Sequence, residues 1–278
     1  MSIRILVDST ADLTSPLKER VTVVPLTVHF GQREYIDGVT ITPQEFYKKL
    51  ENARELPSTS QASPYVFSEA FEEAVEAGDT VVAVIVSSGL SGTYQSAVIA
   101  ASEFPGKVFV VDSRNIAISS GILVEYAFRL LDQGMDAQQI AEELTAIRSK
   151  VHLMAVVDTL EYLQKGGRVS KAVAIAGGML SIKPIIGINA EGKIEMVGKA
   201  RGNKQANALM NKKAQELEID FSRPVMVGYT GTSDALLQRY LAESAGFFGD
   251  HPYGSSIVSA VVGTHAGPNA VAIAFFSR

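Results

Sequence analysis

The chain of 278 residues contains no cysteine. Disulfide bridges, thiolate catalysis and cysteine-based metal sites are therefore excluded. The sequence also lacks a long basic run, because its 25 lysines and arginines are spread among 30 acidic residues, with a formal net charge of −5. Nucleic-acid-binding proteins concentrate positive charge on one face, so the composition argues against nucleic acid as a partner.

Long hydrophobic runs are absent as well. The longest apolar run covers residues 172–182 and is interrupted by Gly177 and Gly178, whereas a membrane-spanning helix needs about 20 apolar residues. The stretch from Met1 to Asp8 is too short for a signal peptide and is predicted to be a strand. From these features we expect a cytoplasmic protein without a membrane span.

The first half of the chain alternates between apolar, β-branched segments and amphipathic segments. The predicted strands are residues 3–7, 21–30 (broken by Pro25), 80–86 and 108–111, and the predicted helices include residues 94–103 and 117–131. Such alternation indicates βαβ units with parallel strands. At roughly 150 residues per domain the length suggests two domains. We predict an α/β fold whose N-terminal, Rossmann-like parallel-sheet domain covers residues 1–158.

The second half shows a different pattern. Its predicted strands are residues 182–188, 193–199, 224–229, 255–262 and 270–276, with a helix at residues 203–218. The first two strands are separated by Asn189-Ala190-Glu191-Gly192, which is typical of a hairpin turn. The mixture predicts a C-terminal mixed or antiparallel α/β domain at residues 159–278.

A loop with four hydroxyl side chains, residues 87–93, leads from a predicted strand into a predicted helix. Free backbone amides at a helix start attract anions, so the loop suits a carboxylate or a phosphate. Ordinary N-capping by Ser91 is the alternative. The loop has no lysine, and the chain has no phosphate-binding glycine motif, which disfavours nucleotides. The chain also lacks a Gly-x-Ser-x-Gly elbow, which disfavours a serine hydrolase.

Three further segments are candidates for polar contacts. Residues 57–61 form a second hydroxyl-rich loop, for which simple solvation is the alternative. His265 lies in the segment 263–268, which joins two predicted strands, and a lone histidine in a loop is more often structural than catalytic. Arg168 is presented at the turn 166–170, where Ser170 can cap the next helix, and could be an ordinary surface arginine. No His-Glu-x-x-His or comparable cluster predicts a metal site.

Taken together, these segments resemble the DegV family of bacterial fatty-acid-binding proteins. The matching segments are residues 7–13, 37–38, 42–43, 59–61, 87–93, 162–170, 182–185 and 263–268, and they span almost the whole chain in a fixed order. The resemblance implies a Rossmann-like domain and a C-terminal α/β domain, with an acyl chain buried between or within them.

The resemblance also implies roles for particular residues. Thr59 and Ser91 would hydrogen-bond the carboxylate of the fatty acid. The positions that match motifs near this head group are Ser60, Thr93 and His265. Arg168 and Arg201 match basic positions that would contact a partner kinase or the head group.

The ligand implied is a long-chain fatty acid such as palmitate, stearate or oleate, with no cofactor and no metal. The protein would not be an enzyme itself, but would present the lipid to a fatty acid kinase that makes acyl-phosphate from ATP. Transient contact with a membrane surface belongs to the same expectation.

The sequence departs from the family pattern at two places. Asn269 stands where the family usually has glycine, and asparagine tolerates positive φ, so the turn should survive. Residues 200–204 are less basic than is usual in the family, which makes the kinase contact less well supported than lipid binding.

One alternative function is a hydrolase or transferase acting on a small acyl or phosphorylated substrate, with Ser91 as nucleophile and His265 as base. The other is a purely regulatory interaction module.

Overall fold

A computed structural model describes residues 2–169 and 181–278. The helix predicted to start at Ser170 and most of the apolar run at residues 172–182 lie outside these ranges. The strands are β1 (Ile3–Asp8), β2 (Thr22–Val24), β3 (Thr27–Phe30), β4 (Arg33–Ile36), β5 (Ser58–Ser60), β6 (Thr80–Ile85), β7 (Val108–Asp112), β8 (Val151–Val156), β9 (Ile182–Ile188), β10 (Ile194–Arg201), β11 (Met226–Tyr229), β12 (Gly254–Ile257) and β13 (Val271–Phe276). The helices are α1 (Ser15–Lys18), α2 (Pro43–Glu51), α3 (Pro64–Glu76), α4 (Thr93–Ala101), α5 (Ile118–Asp132), α6 (Ala137–Ile147), α7 (Glu161–Lys165), α8 (Gly202–Glu216), α9 (Ala235–Glu243), α10 (Ala245–Phe248) and α11 (Ala260–Ala266).

Four parallel strands form the first sheet, in the order β2-β1-β6-β7. Helices cover both of its faces, which explains why its strands are continuous apolar runs. Leu6 of β1 faces the cluster that includes Phe67 and Phe71 of α3, whereas Ile5 and Val7 face α5 and α6. The predicted parallel α/β unit is confirmed.

Six strands form the second sheet, in the order β10-β9-β8-β13-β11-β12. All neighbouring pairs are antiparallel except β11 and β12, so the predicted mixed sheet is also confirmed. One face packs against α5 and the other against α8 and α9. Strand β8 belongs to this sheet, although the predicted first domain, residues 1–158, includes it. The division of the chain into domains stays a prediction.

A third, three-stranded sheet has the order β4-β3-β5 and was not predicted. The predicted strand at residues 21–30 is divided at Pro25: β2 joins the parallel sheet and β3 the small antiparallel one. Residues 58–60 were predicted to be part of a polar loop, but they form β5 and pair with β3. This pairing fixes which way the side chain of Thr59 points.

The strand predicted at residues 255–262 is wrong in its second half, where the chain forms α11. The carboxylate of Asp37 accepts hydrogen bonds from the amides of Ala260 (3.2 Å) and Val261 (3.3 Å). These bonds satisfy amides that a helix start leaves without intrahelical partners, and they override the β preference of the valines. His265 therefore lies in the last helical turn and not in a loop between strands. None of the helices in the described ranges is long and apolar enough to cross a membrane.

Candidate ligand-binding site

An apolar cavity of about 210 Å³ lies between the carboxyl ends of β1 and β6 and one face of the six-stranded sheet. Its floor consists of side chains from adjacent strands of that sheet, and α5 and α11 close it from the other side. Representative lining residues are Leu153, Ala155, Ile186, Ala272, Ile118 and Val262. Ligands in open α/β sheets bind at the carboxyl ends of the strands, so the cavity occupies the position that the fold predicts.

Five polar side chains gather at one part of the cavity wall, and we call them the polar cluster: Thr59, Gln61, Ser91, Arg168 and His265. They come from β5 and the residue after it, from the loop before α4, from the turn after α7, and from α11. The structure thus brings together four residues that the sequence predicted to be part of the site, from segments far apart in the chain.

His265 and Thr59 are hydrogen-bonded, with 2.9 Å between Nε2 and Oγ1. Burial, and to a lesser extent the nearby charge of Arg168, lowers the pKa of His265 to about 4. The imidazole is therefore neutral at pH 7. Its Nδ1 is buried and has no hydrogen-bond partner within the described part of the chain. Gly166 lies against Nδ1 so closely that a Cβ at this position would overlap it.

Ser91 lies just before α4 and lines the cavity. Its Oγ is 2.9 Å from Oγ1 of Thr93 and also accepts a hydrogen bond from the Thr93 amide at 3.2 Å. Gly92 is the N-cap residue, but the Ser91 hydroxyl accepts from an amide at the start of α4, so the capping contact of the alternative is present as well. Thr93 is fully buried and does not line the cavity, and its contact with Ser91 restrains the Ser91 hydroxyl.

The first half of the hydroxyl loop is occupied with structural contacts. The Ser87 hydroxyl donates to the carbonyl oxygen of Gly192 at 2.7 Å, which joins the loop to the β9–β10 hairpin. The Ser88 hydroxyl donates to Asp112 at 2.6 Å. Loop amides are engaged too, since those of Leu90 and Ser91 donate to the Ser87 carbonyl. The anion site predicted for the whole loop is thereby reduced to its second half.

Arg168 is half-buried and donates hydrogen bonds to two backbone carbonyls. Its Nε donates to Leu90 at 3.3 Å and its Nη1 to Gly166 at 2.6 Å. Burial lowers the pKa of this guanidinium from its ordinary value, but arginine still carries its charge at neutral pH. Arg168 therefore supplies a positive charge beside the neutral imidazole of His265.

Two predicted site residues lie elsewhere. Ser60 is the neighbour of Thr59 in β5, and because strand residues alternate between faces, its hydroxyl points outward and lies 2.7 Å from Nε2 of His29. Arg201 is exposed at the end of β10, directly before α8, and does not line the cavity. Asn269 has φ of 63°, as expected for a residue replacing glycine in a turn.

Gln61 belongs to the matching segment 59–61, but the family resemblance implies no role for it. It follows Thr59 by two residues, so the period of a strand could have placed it on the same face. Its Nε2 donates to Ser96 at 3.1 Å, and its Oε1 lies where a Cβ of Gly92 would be. The described residues contain no group of three or more side chains that could hold a metal ion.

The fold and the cavity define a class of α/β proteins in which a parallel sheet and a mixed sheet flank an apolar cavity with a polar cluster in its wall. The family model described as "uncharacterised protein, DegV family" matches residues 2–278. The chain belongs to the DegV family, as its sequence motifs predicted.

Individual relatives agree over their full lengths. A DegV domain-containing protein of Deinococcus radiodurans is 35% identical over 281 residues, covering 99% of this chain and 98% of that protein. A Thermus thermophilus structure described as fatty acid binding of a DegV family protein is 33% identical, covers 100% of both chains and has a TM-score of 0.88. A stearic acid-binding protein from Eubacterium ventriosum is 27% identical, covers 100% of this chain and 98% of that one, and also has a TM-score of 0.88.

Proposed function

We propose that this protein binds one long-chain fatty acid, with the acyl chain in the cavity and the carboxylate at the polar cluster. The observation that carries the proposal is the combination of an apolar cavity with neutral hydrogen-bond donors at one place in its wall. The two solved relatives described above are themselves described as fatty acid-binding, which supports the same ligand class for this chain.

The energetics favour a ligand that is mostly hydrocarbon. Burying one methylene contributes about 0.8 kcal/mol, so a C16 chain offers about 11 kcal/mol before the costs of association. The acyl chain therefore supplies most of the affinity.

The polar cluster has the complementary task of accepting a carboxylate without leaving its charge uncompensated. Thr59 and Ser91 provide hydroxyl donors, and Arg168 provides a positive charge at the same wall. Two of these three groups are neutral, so little charge has to be desolvated together with the ligand.

We also propose that the bound lipid is presented to a fatty acid kinase in the cytoplasm, after uptake during transient contact with a membrane surface. A surface groove of about 740 Å³ supports this, because Thr59, Arg168 and His265 line both the groove and the cavity. The carboxylate would thus be separated from the groove only by these three side chains, which a partner protein can contact from the groove. Arg201 remains a proposed kinase contact, outside the cavity.

A hydrolase or transferase using Ser91 and His265 is less well supported. The imidazole bonds Thr59 and the Ser91 hydroxyl bonds Thr93, so the two are not paired as nucleophile and base. A histidine with a pKa of about 4 is also a weak base at neutral pH. We therefore propose a binding protein without turnover of its own.

Denaturing extraction of the purified protein, followed by mass spectrometry of the released lipid, tests the proposal. We expect about one equivalent of a long-chain fatty acid. A protein that carries no fatty acid, and takes none up when offered palmitate, stearate or oleate, would contradict it and favour a purely regulatory module.

The head-group assignment has a separate test. Thr59→Val combined with Ser91→Ala should weaken fatty acid binding while the fold persists, because each lost hydrogen bond to a charged group costs about 1.5–3 kcal/mol. The matched control is Ser60→Ala, which removes the outward-facing hydroxyl next to Thr59. Equal affinity for the double variant and the control would exclude the polar cluster as the carboxylate site.

A further inference from the structure

The side chain of Gln61 connects the two segments that carry the hydroxyls of the polar cluster. We infer that Gln61 is a positioning residue, which holds Thr59 and Ser91 at the separation that suits a carboxylate and so makes the site prefer a carboxylate to a neutral head group. The inference rests on the proposed function, because it assumes that the cavity holds a fatty acid with its carboxylate at the polar cluster.

Thr59 and Ser91 belong to different elements and do not hydrogen-bond each other. Strand β5, which carries Thr59, is at an edge of its sheet and pairs with β3 alone. Nε2 of Gln61 donates to Oγ of Ser96 at 3.1 Å. Within the described part of the chain, this is the only hydrogen bond between residues 57–61 and residues 87–101.

The contact joins one fixed point to another. Ser96 is buried in the first turn of α4, and its amide donates to the Gly92 carbonyl at 3.0 Å. Gln61 follows Thr59 by two residues, so the two side chains leave the chain on the same side. A hydrogen bond between Gln61 and Ser96 therefore restrains the distance between the Thr59 hydroxyl and the loop that carries Ser91.

Gly92 shows that the carboxamide of Gln61 has a defined place on this helix start. The φ of Gly92 is −71°, which any residue can adopt, so the backbone does not require glycine. A Cβ at this position would overlap Oε1 of Gln61, and its three nearest atoms would all belong to that carboxamide. A side chain at position 92 would thus displace the end of Gln61.

A carboxylate should depend on this arrangement more than an alcohol does. Both oxygens of a carboxylate accept hydrogen bonds, and bonds to a charged acceptor are about twice as strong as neutral ones. Hydrogen bonds weaken steeply when their geometry is poor. Loosening the two hydroxyls should therefore weaken binding of a fatty acid more than binding of the fatty alcohol with the same chain, since the hydrocarbon contribution is the same for both.

Gln61→Met tests the inference, because methionine keeps the length of the side chain but cannot donate to Ser96. Delipidated protein is titrated with oleate and with oleyl alcohol. We expect the affinity for oleate to fall about fivefold, as for the loss of one ordinary hydrogen bond, and the affinity for oleyl alcohol to change less than about twofold. The matched control is Gln95→Met, at an exposed glutamine of α4, which should leave both affinities unchanged.

Ser96→Ala removes the other partner of the same hydrogen bond and should lower the affinity for oleate by the same factor as Gln61→Met. The double variant should bind oleate no more weakly than either single variant, because two residues that act through one contact are not additive. Gly92→Ala should give a similar loss, since its Cβ displaces the flexible end of Gln61, and it should add no loss in a Gln61→Met background.

The outcomes separate the inference from the proposed function. If the unmodified protein prefers oleate to oleyl alcohol and Gln61→Met keeps that preference, the inference is overturned and the proposed function stands. Equal losses for both ligands would mean that Gln61 only supports the fold, and additive losses for Gln61→Met and Ser96→Ala would mean that the two act separately; either result also overturns the inference. An unmodified protein that binds neither ligand, or binds both equally, contradicts the proposed carboxylate site as well.

Discussion

Nε2 of His265 lies 2.9 Å from Oγ1 of Thr59, across 206 residues of sequence. Nδ1 of the same ring is buried without a partner among residues 2–169 and 181–278. A buried N–H without an acceptor is rarer in proteins than an unfilled acceptor. The neutral ring should therefore carry its proton on Nε2 and donate it to Thr59, which leaves the threonine hydroxyl hydrogen free to point at a ligand carboxylate.

We predict from this arrangement that His265→Phe lowers fatty acid affinity about tenfold, because Thr59 loses the donor that orients its hydroxyl. Titration of delipidated protein with oleate measures the change. Nitrogen-15 NMR of the histidine rings checks the cause directly: at pH 7 the ring of His265 should be neutral and protonated at Nε2. A proton on Nδ1 would contradict the proposed role of the ring.

Gly166 should be as important as the polar side chains, although it contributes no polar side-chain atom. A Cβ at this position would overlap Nδ1 of His265, so Gly166→Ala should displace the ring and reduce affinity at least about tenfold. Overpacking of this kind also costs about 1–3 kcal/mol of stability. Gly246→Ala is the control in the same assays, because a Cβ added at Gly246 would meet no atom within 4 Å and affinity should stay unchanged.

Ser87 and Ser91 belong to the same loop but should respond differently to alanine. Ser87 is fully buried and donates a hydrogen bond to the Gly192 carbonyl. Ser87→Ala should therefore lower the free energy of unfolding by about 1–3 kcal/mol, with little change in lipid affinity. Ser91→Ala should mainly reduce affinity. Urea unfolding and oleate titration of both variants test the pair, and a loss of affinity in Ser87→Ala alone would reverse the assignment.

The sequence predicted the parallel sheet well because its strands are buried on both faces and form continuous apolar runs. It failed at residues 255–262, where the carboxylate of Asp37, 223 residues from Ala260, starts a helix. No pattern local to the valines contains that information. Strand propensity was therefore overridden by a tertiary contact.

The sequence predicted which segments form the candidate site, but not which of their hydroxyl groups face the cavity. The family motif brought Thr59, Ser91 and His265 together, but it also included Ser60, which the pairing of β5 with β3 turns outward. Ser87 and Ser91 look equivalent in the sequence, and only the approach of Gly192, 105 residues away from Ser87, makes one structural. Which hydroxyls face the cavity is decided by register and long-range contacts.

Stability against acid provides a further test, because burial lowers the pKa of His265 to about 4 from an ordinary value of about 6.5. Between these two values the unfolded chain binds a proton at this ring and the folded chain does not. The contribution of His265 to stability is thus complete above about pH 6.5 and is lost as the pH falls toward 4, by about 3 kcal/mol in all.

Asp37 acts in the opposite direction, since burial raises its pKa to about 6, and its proton uptake stabilises the folded state as the pH falls below 6. The acid response of the unmodified protein alone would therefore mix His265 with Asp37 and with Asp8 and Asp12, whose pKa values burial also raises. Comparison with His265→Phe isolates the histidine: between pH 6.5 and 4, the unmodified protein should lose about 3 kcal/mol relative to the variant in urea unfolding. A difference between the two proteins that stays constant with pH would show that the imidazole titrates normally in the folded state.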